Sequence, residues 1–316
     1  MNKILINAGS SGRGWSFRAG LVGLCAQEWA YRQLLGGEGK PSPPLIKGSL
    51  VHIGCAHHNA RLQAMQNGWD AERYYSPVEA LELLADEEDL KLRDRGMRPA
   101  WAEHVPIATK ALMRKMEEDD KRRLTQGWSP EIVAVEHRMV GWFDETGMVD
   151  APANAAERLA LLESSDPADW LAYWRQGAPY VHTARADWIE RRNGFYYVVD
   201  AKTGYKADAV KTSGYQMSGQ FAGLDAFARA AYGDLYGGIE IEFILFTGKV
   251  TRVPILAPPW IRANFGQTVV DSENRLGRLL EEGRDPWRFP KSMSEQTCIR
   301  RYGPRCPFFE KCAHGP

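Results

Sequence analysis

The sequence lacks any long hydrophobic run and has no surplus of charge of one sign. No stretch approaches the roughly 18 consecutive apolar residues of a membrane-spanning helix. The first residues also lack a charged start followed by an apolar run and a cleavage site, so we expect a cytoplasmic protein. Lysine plus arginine number 40 and aspartate plus glutamate number 40, whereas histone-like and tail-type nucleic-acid binders have a bulk basic excess. Contacts with nucleic acid must therefore come from local patches.

Internal repeats and low-complexity segments are also missing. The chain has 316 residues, of which 44% are hydrophobic and 25% charged, and this composition excludes disordered, collagenous and coiled-coil proteins. Such a length can bury a large core. We predict one domain over residues 1–316. Its expected parts are a helical part at 17–130, a β-rich core at 131–257 with a helical insertion at 148–177, and a C-terminal helix with a cysteine-rich tail at 258–316.

Hydrophobic periodicity and turn residues predict the elements of these parts. Helices are expected at 17–35 and 48–67, followed by a charged helical stretch at 76–126. The strand candidates are 131–143, 181–191, 195–200, 239–247 and 249–257, and the last two helices are expected at 212–232 and 259–282. Asn193-Gly194 predicts a tight hairpin turn between the second and third strands. The pattern indicates an α/β protein.

Two carboxylates and a lysine fall on the predicted hairpin. Asp187 lies in one strand, and Asp200-Ala201-Lys202 ends the next. Residues two apart on a strand point to the same face, and a neighbouring strand can reach the same spot. Two converging carboxylates suit a hard divalent cation such as Mg²⁺ or Mn²⁺. A lysine beside them fits phosphodiester hydrolysis, because it can orient the attacking water or offset developing charge. A surface ion pair at a strand end is the alternative interpretation.

Three further polar side chains are candidates for the same site. His52 lies on a predicted helix, although a lone histidine on an apolar helix face is more often a core residue than a ligand. Gln216 and Gln220 are four apart on the helix predicted at 212–232, so they would share one face. Glutamine on an amphipathic helix is usually solvent-facing.

The order of these residues resembles the RecB-type branch of the PD-(D/E)XK nuclease superfamily. The matching positions are Gly48, His52, Glu136, Asp187, Asp200-Ala201-Lys202-Thr203-Gly204 and Gln216/Gln220. The resemblance spans most of the chain and implies an αβββαβ core in which helices flank a central mixed sheet. It also implies a metal-dependent DNA exonuclease. Because the sequence of 316 residues contains no Gly-x-x-x-x-Gly-Lys-Ser/Thr phosphate loop, we expect a nuclease without motor domains.

The resemblance further assigns roles to residues. Asp187, Asp200 and the backbone carbonyl of Ala201 would bind Mg²⁺ or Mn²⁺, His52 would add a ligand, and Lys202 would assist the water. It favours Gln220 over Gln216, because the family's glutamine precedes a Tyr-Gly pair, here Tyr232-Gly233. Glu136 is either structural or catalytic.

Five cysteines are present, an odd number, and three of them crowd into the tail. The thiolates of Cys298, Cys306 and Cys312 suggest a soft metal or an iron–sulfur centre. Neither spacing fits the C-x₂₋₄-C pairs common in zinc sites, although structural zinc and unrelated buried thiols stay open. The resemblance extends to iron–sulfur RecB-like nucleases, including CRISPR-associated, AddB-type and phage relatives. It implies a structural [4Fe-4S] cluster with Cys25 as fourth ligand and Cys55 left over as a buried residue.

DNA is the expected partner, single-stranded or end-containing. Basic residues near the proposed site could meet phosphates, and Tyr205 or Trp188 could stack a splayed base. Recombination, repair, and CRISPR or phage DNA processing are all compatible contexts. Two other classes stay open: a non-catalytic DNA-binding or assembly subunit that retains the fold, and a zinc-stapled protein whose Asp-x-Lys is accidental.

Overall fold

A computed structural model of the chain describes residues 3–6, 42–164, 166–207 and 209–283, together with Ala26 and Ala30. Most of the helix predicted at 17–35 and the cysteine-rich tail lie outside these ranges. Within them, no helix has both the length and the apolar character needed to cross a membrane.

Three helices precede the sheet: α1 (Pro43–Gln66), α2 (Pro77–Asp94) and α3 (Val105–Gln126). The charged stretch predicted as helical at 76–126 is therefore interrupted between α2 and α3. The start of α2 is fixed by a capping box, in which Ser76 accepts from the N–H of Glu79 and the Glu79 carboxylate accepts from the N–H of Ser76. Gly127, with a φ of 60°, ends α3 in the left-handed conformation that glycine adopts readily.

Six strands form one mixed sheet. They are β1 (Glu131–Asp144), β2 (Gly147–Val149), β3 (Tyr180–Arg192), β4 (Phe195–Gly204), β5 (Tyr236–Leu245) and β6 (Val250–Ile255). The strand order is β2-β1-β3-β4-β5-β6, with β4 and β5 parallel. The predicted α/β fold with a mixed central sheet flanked by helices is confirmed.

The β4 strand is longer than the predicted range 195–200. It pairs with β5 as far as Gly204, which lies opposite Leu245. The additional backbone pairing with β5, which is distant in sequence, extends the strand through Lys202. Asp200 and Lys202 therefore both lie on regular strand backbone and project to one face.

The remaining helices are shorter than the sequence predicted. They are α4 (Ala155–Glu163), α5 (Pro167–Arg175), α6 (Ala209–Gln216), α7 (Gly219–Tyr232), α8 (Pro259–Ala263) and α9 (Phe265–Glu281). The prediction of a single helix at 212–232 is wrong, because α6 ends at Gln216 and a new helix begins at Gly219. The Ser218 hydroxyl caps α7 by accepting from the N–H of Gln220. The helix predicted at 259–282 likewise divides into α8 and α9.

The described residues fall into two compact units, where the sequence predicted one domain. The first comprises 3–6, 42–139 and 185–258, and the second comprises 140–184 and 259–283. In the second unit, edge-to-face contacts join Phe143, His182 and Phe265. The carboxylates and lysine of the predicted site all belong to the first unit.

The core of the first unit lies between α1, α2 and α3 and one face of the sheet. Trp188 and Ala201 are buried on that face, next to residues such as Leu50 and Leu112. A charged group is buried there as well: the Lys115 ammonium is ion-paired with Asp119 and lies 2.9 Å from Glu242. Such a group is tolerated because each buried charge has a partner.

Candidate active site

The hairpin of β3 and β4 brings the two aspartates together. Trp188 pairs with Val199, so Asp187 and Asp200 occupy the next positions along the two antiparallel strands. The Ala201 N–H donates to Asp187 Oδ2 at 2.6 Å. Lys202 Nζ lies 2.6 Å from Asp200 Oδ2. Two carboxylates and one ammonium therefore share a small volume beside β4.

Two helices bring further side chains to these carboxylates. His52, on α1, places Nδ1 at 3.3 Å from Asp187 Oδ2. A side chain at Gly48 would place its Cβ 3.1 Å from Thr203 Oγ1, so the glycine allows α1 to approach β4 closely. Gln220, in the first turn of α7, donates from Nε2 to Asp200 Oδ1 at 2.9 Å.

Gln216 has a different position from Gln220. It is the last residue of α6, while Gln220 belongs to α7. Among the contacts of the described residues, Gln220 hydrogen-bonds Asp200 and Gln216 bonds none of the site carboxylates. The expectation that both glutamines share one helical face fails because the helix breaks between them.

Glu136 joins the site in an unusual conformation. Its φ is 50°, a left-handed value that is rare and costly for a residue other than glycine. Its Oε2 accepts a hydrogen bond from Arg185 Nη1 at 3.4 Å. Arg185 was not among the site residues predicted from the sequence, although it is two residues from Asp187 and therefore projects to the same face of β3. Backbone strain of this kind concentrates at functional sites, which favours a role beyond packing for Glu136.

The environments of two acids in the site push their pKa values apart. Burial raises the pKa of Glu136 to about 8, and the nearby charge of Asp187 contributes in the same direction. Burial also acts to raise the pKa of Asp187, but His52 and Lys202 together outweigh it and hold that pKa below its usual range. These surroundings favour the charged form of Asp187 and the neutral form of Glu136.

The charges around Lys202 keep it protonated. Burial acts to lower its pKa, but Asp200 and Asp187 outweigh that effect and raise it. Burial raises the pKa of Asp200. The Lys202 ammonium acts to lower this pKa, and the negative charge of Asp187 acts to raise it further. The ammonium also lies 5.8 Å and 5.6 Å from the ring centres of Tyr215 and Phe221.

The donor atoms of the site suit a hard cation. No set of three or more His, Cys, Asp and Glu side chains in the described part of the chain is arranged to hold a metal ion. Mg²⁺, however, usually keeps several waters and binds proteins through one or two carboxylates. Asp200 Oδ2 is buried, and within the described structure only the Lys202 ammonium contacts it. Two carboxylates, one of them with such an oxygen, fit the needs of this ion.

Comparison with known proteins identifies the class. A family model of the PD-(D/E)XK nuclease superfamily matches residues 20–312, and the chain therefore belongs to this superfamily. The assignment supports a nuclease function, and nucleases of this superfamily typically use divalent metal ions. Curated proteins yield no significant match.

Among solved structures, the chain is similar to a protein from Eubacterium rectale named "Putative exonuclease". The similarity has a TM-score of 0.45 at 13% identity and covers 100% of this chain and 94% of that one.

Two other groups of predicted residues have different outcomes. Cys25, Cys298, Cys306 and Cys312 lie outside the described residues. Cys55 is buried, and burial raises the pKa of its thiol. Trp188 was expected to stack a base, and this is wrong because only 1% of the residue is exposed. Its indole N–H donates to Glu190 at 3.1 Å inside the core.

Proposed function

We propose that the chain is a metal-dependent DNA exonuclease that hydrolyses phosphodiester bonds. The observation that supports it is the convergence of Asp187, Asp200 and Lys202, whose hydrogen bonds and ion pairs with one another and with Ala201, His52 and Gln220 measure 3.3 Å or less. We infer a role in recombination, repair, or CRISPR or phage DNA processing, the contexts of free-standing RecB-like nucleases that the sequence resembles.

Asp187, Asp200 and the Ala201 carbonyl would hold Mg²⁺ or Mn²⁺, with His52 as a further ligand. When bound, the cation supplies positive charge opposite the scissile phosphate and lowers the pKa of a bound water. The protein fixes the orientation of both carboxylates beforehand, because the Ala201 N–H holds Asp187 and the Gln220 amide holds Asp200. Because both carboxylates are already held in place, they do not have to be reoriented during the reaction.

Lys202 would act as a hydrogen-bond donor and a positive charge. Its raised pKa keeps it an ammonium at neutral pH, so it is not the base that deprotonates water. It can orient the attacking water and stabilise negative charge on the phosphate. Its position depends on Asp200 and on the rings of Tyr215 and Phe221.

End-labelled linear DNA, with circular single-stranded DNA beside it, tests this function. We expect Mg²⁺ or Mn²⁺ to support degradation of linear strands, while circles stay intact and EDTA abolishes cleavage. Asp200→Asn should remove activity, whereas Asp86→Asn, an exposed acid on α2, should not. DNA binding by the wild type without any cleavage would instead identify a non-catalytic subunit.

We also propose a structural [4Fe-4S] cluster bound by Cys25, Cys298, Cys306 and Cys312. Thiolates suit such clusters, and the proposal rests on the sequence resemblance. The purified protein should be brown and contain iron, and serine at any of the four positions should remove the colour. Cys55→Ser is the matched control. A colourless protein with one zinc per chain would refute the cluster.

A further inference from the structure

An exposed aromatic side chain follows directly after the catalytic strand. Tyr205 comes immediately after β4, three residues beyond Lys202, and is 54% exposed. Its ring lies 5.3 Å from that of Phe246, which follows the parallel strand β5, and the Phe246 N–H donates to the Gly204 carbonyl at 2.9 Å. Both rings thus lie at the carboxyl ends of adjacent parallel strands, where α/β folds commonly bind ligands.

A lysine from α1 holds this ring. Lys47 Nζ donates to the Tyr205 hydroxyl at 2.9 Å and lies 5.2 Å from the centre of its ring. It also lies 5.5 Å from the centre of the Phe246 ring. The Tyr205 side chain is therefore tethered, although more than half of the residue is exposed.

Lys47 has different partners from two other cations of the first unit, Lys202 and Arg185. Lys202 faces Asp200 and Arg185 faces Glu136. Within the described part of the chain, by contrast, Lys47 has no carboxylate at ion-pair distance and donates only to Tyr205. An ammonium has three donors, so besides the Tyr205 hydroxyl it can also donate to phosphate oxygens.

We propose that Tyr205, tethered by Lys47 and Phe246, stacks an unpaired base next to the scissile phosphate and makes the nuclease prefer single-stranded ends. This inference rests on the proposed function. An exposed aromatic ring with a cation beside it is a combination that binds single-stranded nucleic acid. The ring can stack on the flat face of any base, and the cation can contact the phosphate of the same or the next nucleotide.

The distance and the geometry both favour an unpaired base. Three residues of extended chain span about 10 Å, so Tyr205 and Lys202 can contact nucleotides that are close to one another in the same strand. In a continuous duplex each base is covered by its neighbours on both faces. A protein ring can therefore stack on a base within the strand only where that base is unpaired.

Binding of short fluorescein-labelled DNA tests the ring, in an Asp200→Asn background that prevents cleavage. Tyr205→Ala should weaken binding of a single strand by about 5-fold to 150-fold, the usual effect of losing one stacked base. A blunt duplex of the same sequence should lose less than about 2-fold, because it offers no unpaired base. Tyr205→Phe, which keeps the ring, should stay within about 3-fold of Tyr205 on the single strand.

Trp69→Ala is the matched control, because Trp69 is 58% exposed and lies outside the site. Trp69→Ala should change neither the affinity for the single strand nor the affinity for the blunt duplex. Equal losses on the two substrates, or no loss on the single strand, would overturn the inference.

Lys47→Met tests the phosphate contact separately. It should lower the dependence of single-strand affinity on salt by about one ion, whereas Lys249→Met, at an exposed lysine, should not. An unchanged salt dependence would overturn the role of Lys47.

Cleavage of linear DNA by the Tyr205→Ala protein with unchanged single-strand preference would refute only this inference. Absence of both binding and cleavage in the wild type would refute the proposed function along with it.

Discussion

Gln220→Ala should impair catalysis through Asp200. The Asp200 carboxylate is 2% exposed, and its Oδ1 accepts from Gln220 at 2.9 Å while Oδ2 faces Lys202. Removing the amide leaves a buried carboxylate oxygen without that donor. A hydrogen bond to a charged group contributes about 1.5–3 kcal/mol. If the whole of this is lost in the transition state, kcat/KM falls by about 10-fold to 150-fold.

The matched control is Gln216→Ala, four residues earlier at the end of α6. Since Gln216 bonds neither aspartate in the described structure, kcat/KM should change by less than about 2-fold. Gln220→Glu should be worse than Gln220→Ala, because it places a second carboxylate against Asp200. The assay is degradation of end-labelled DNA at several Mn²⁺ concentrations. A larger loss for Gln216→Ala than for Gln220→Ala would refute the assignment.

Three further predictions concern the core of the first unit. Gly54→Ala should lower the unfolding free energy by up to about 2 kcal/mol, because its Cβ would lie 2.4 Å from a Leu112 methyl carbon. Gly214→Ala, whose Cβ meets no described atom, is the control, and thermal melting separates them. Lys115→Met should cost up to about 3–5 kcal/mol, because it removes the cation that the buried carboxylates of Asp119 and Glu242 share. Urea denaturation compares it with Lys110→Met, at an exposed lysine. The carboxylates that face Lys115 have lowered pKa values, since Lys115 and other cationic partners outweigh burial. The stabilisation from these carboxylates is therefore present above their unfolded-state pKa of about 4 and is lost as the pH falls below that value. The urea concentration at the unfolding midpoint of the wild type should therefore decrease when the pH is lowered below about 4.

Local strand geometry made the centre of the site predictable from the sequence. Asp200 and Lys202 are two apart, and the Asn193-Gly194 turn fixes which residues of the two strands face each other. The α/β class followed from hydrophobic periodicity, whereas the mixed sheet with its flanking helices was implied by the resemblance to the nuclease superfamily. These features depend on chemistry within a short span of chain, which the sequence displays directly.

Contacts between distant segments could not be predicted in the same way. The length of β4 depends on its pairing with β5 through Gly204, and the burial of Trp188 depends on the helices α1 to α3 that cover that face. The left-handed φ of Glu136 leaves no mark on its own residue type, because glutamate has no preference for that region. Such features arise only when the sheet has assembled.

Arg185 and the break before Gln220 are different, because the sequence contained a local signal for each. Arg185 alternates with Asp187 along a strand, so both must project to one face. Ser218 is a good N-cap and follows Met217 at the end of α6, so its hydroxyl can satisfy the first free N–H groups of a new helix. A four-residue spacing implies a shared face only within one continuous helix. Because the cap separates Gln216 from Gln220, it allows only the second to meet Asp200, and the serine between the two glutamines is the residue that distinguishes them in the sequence.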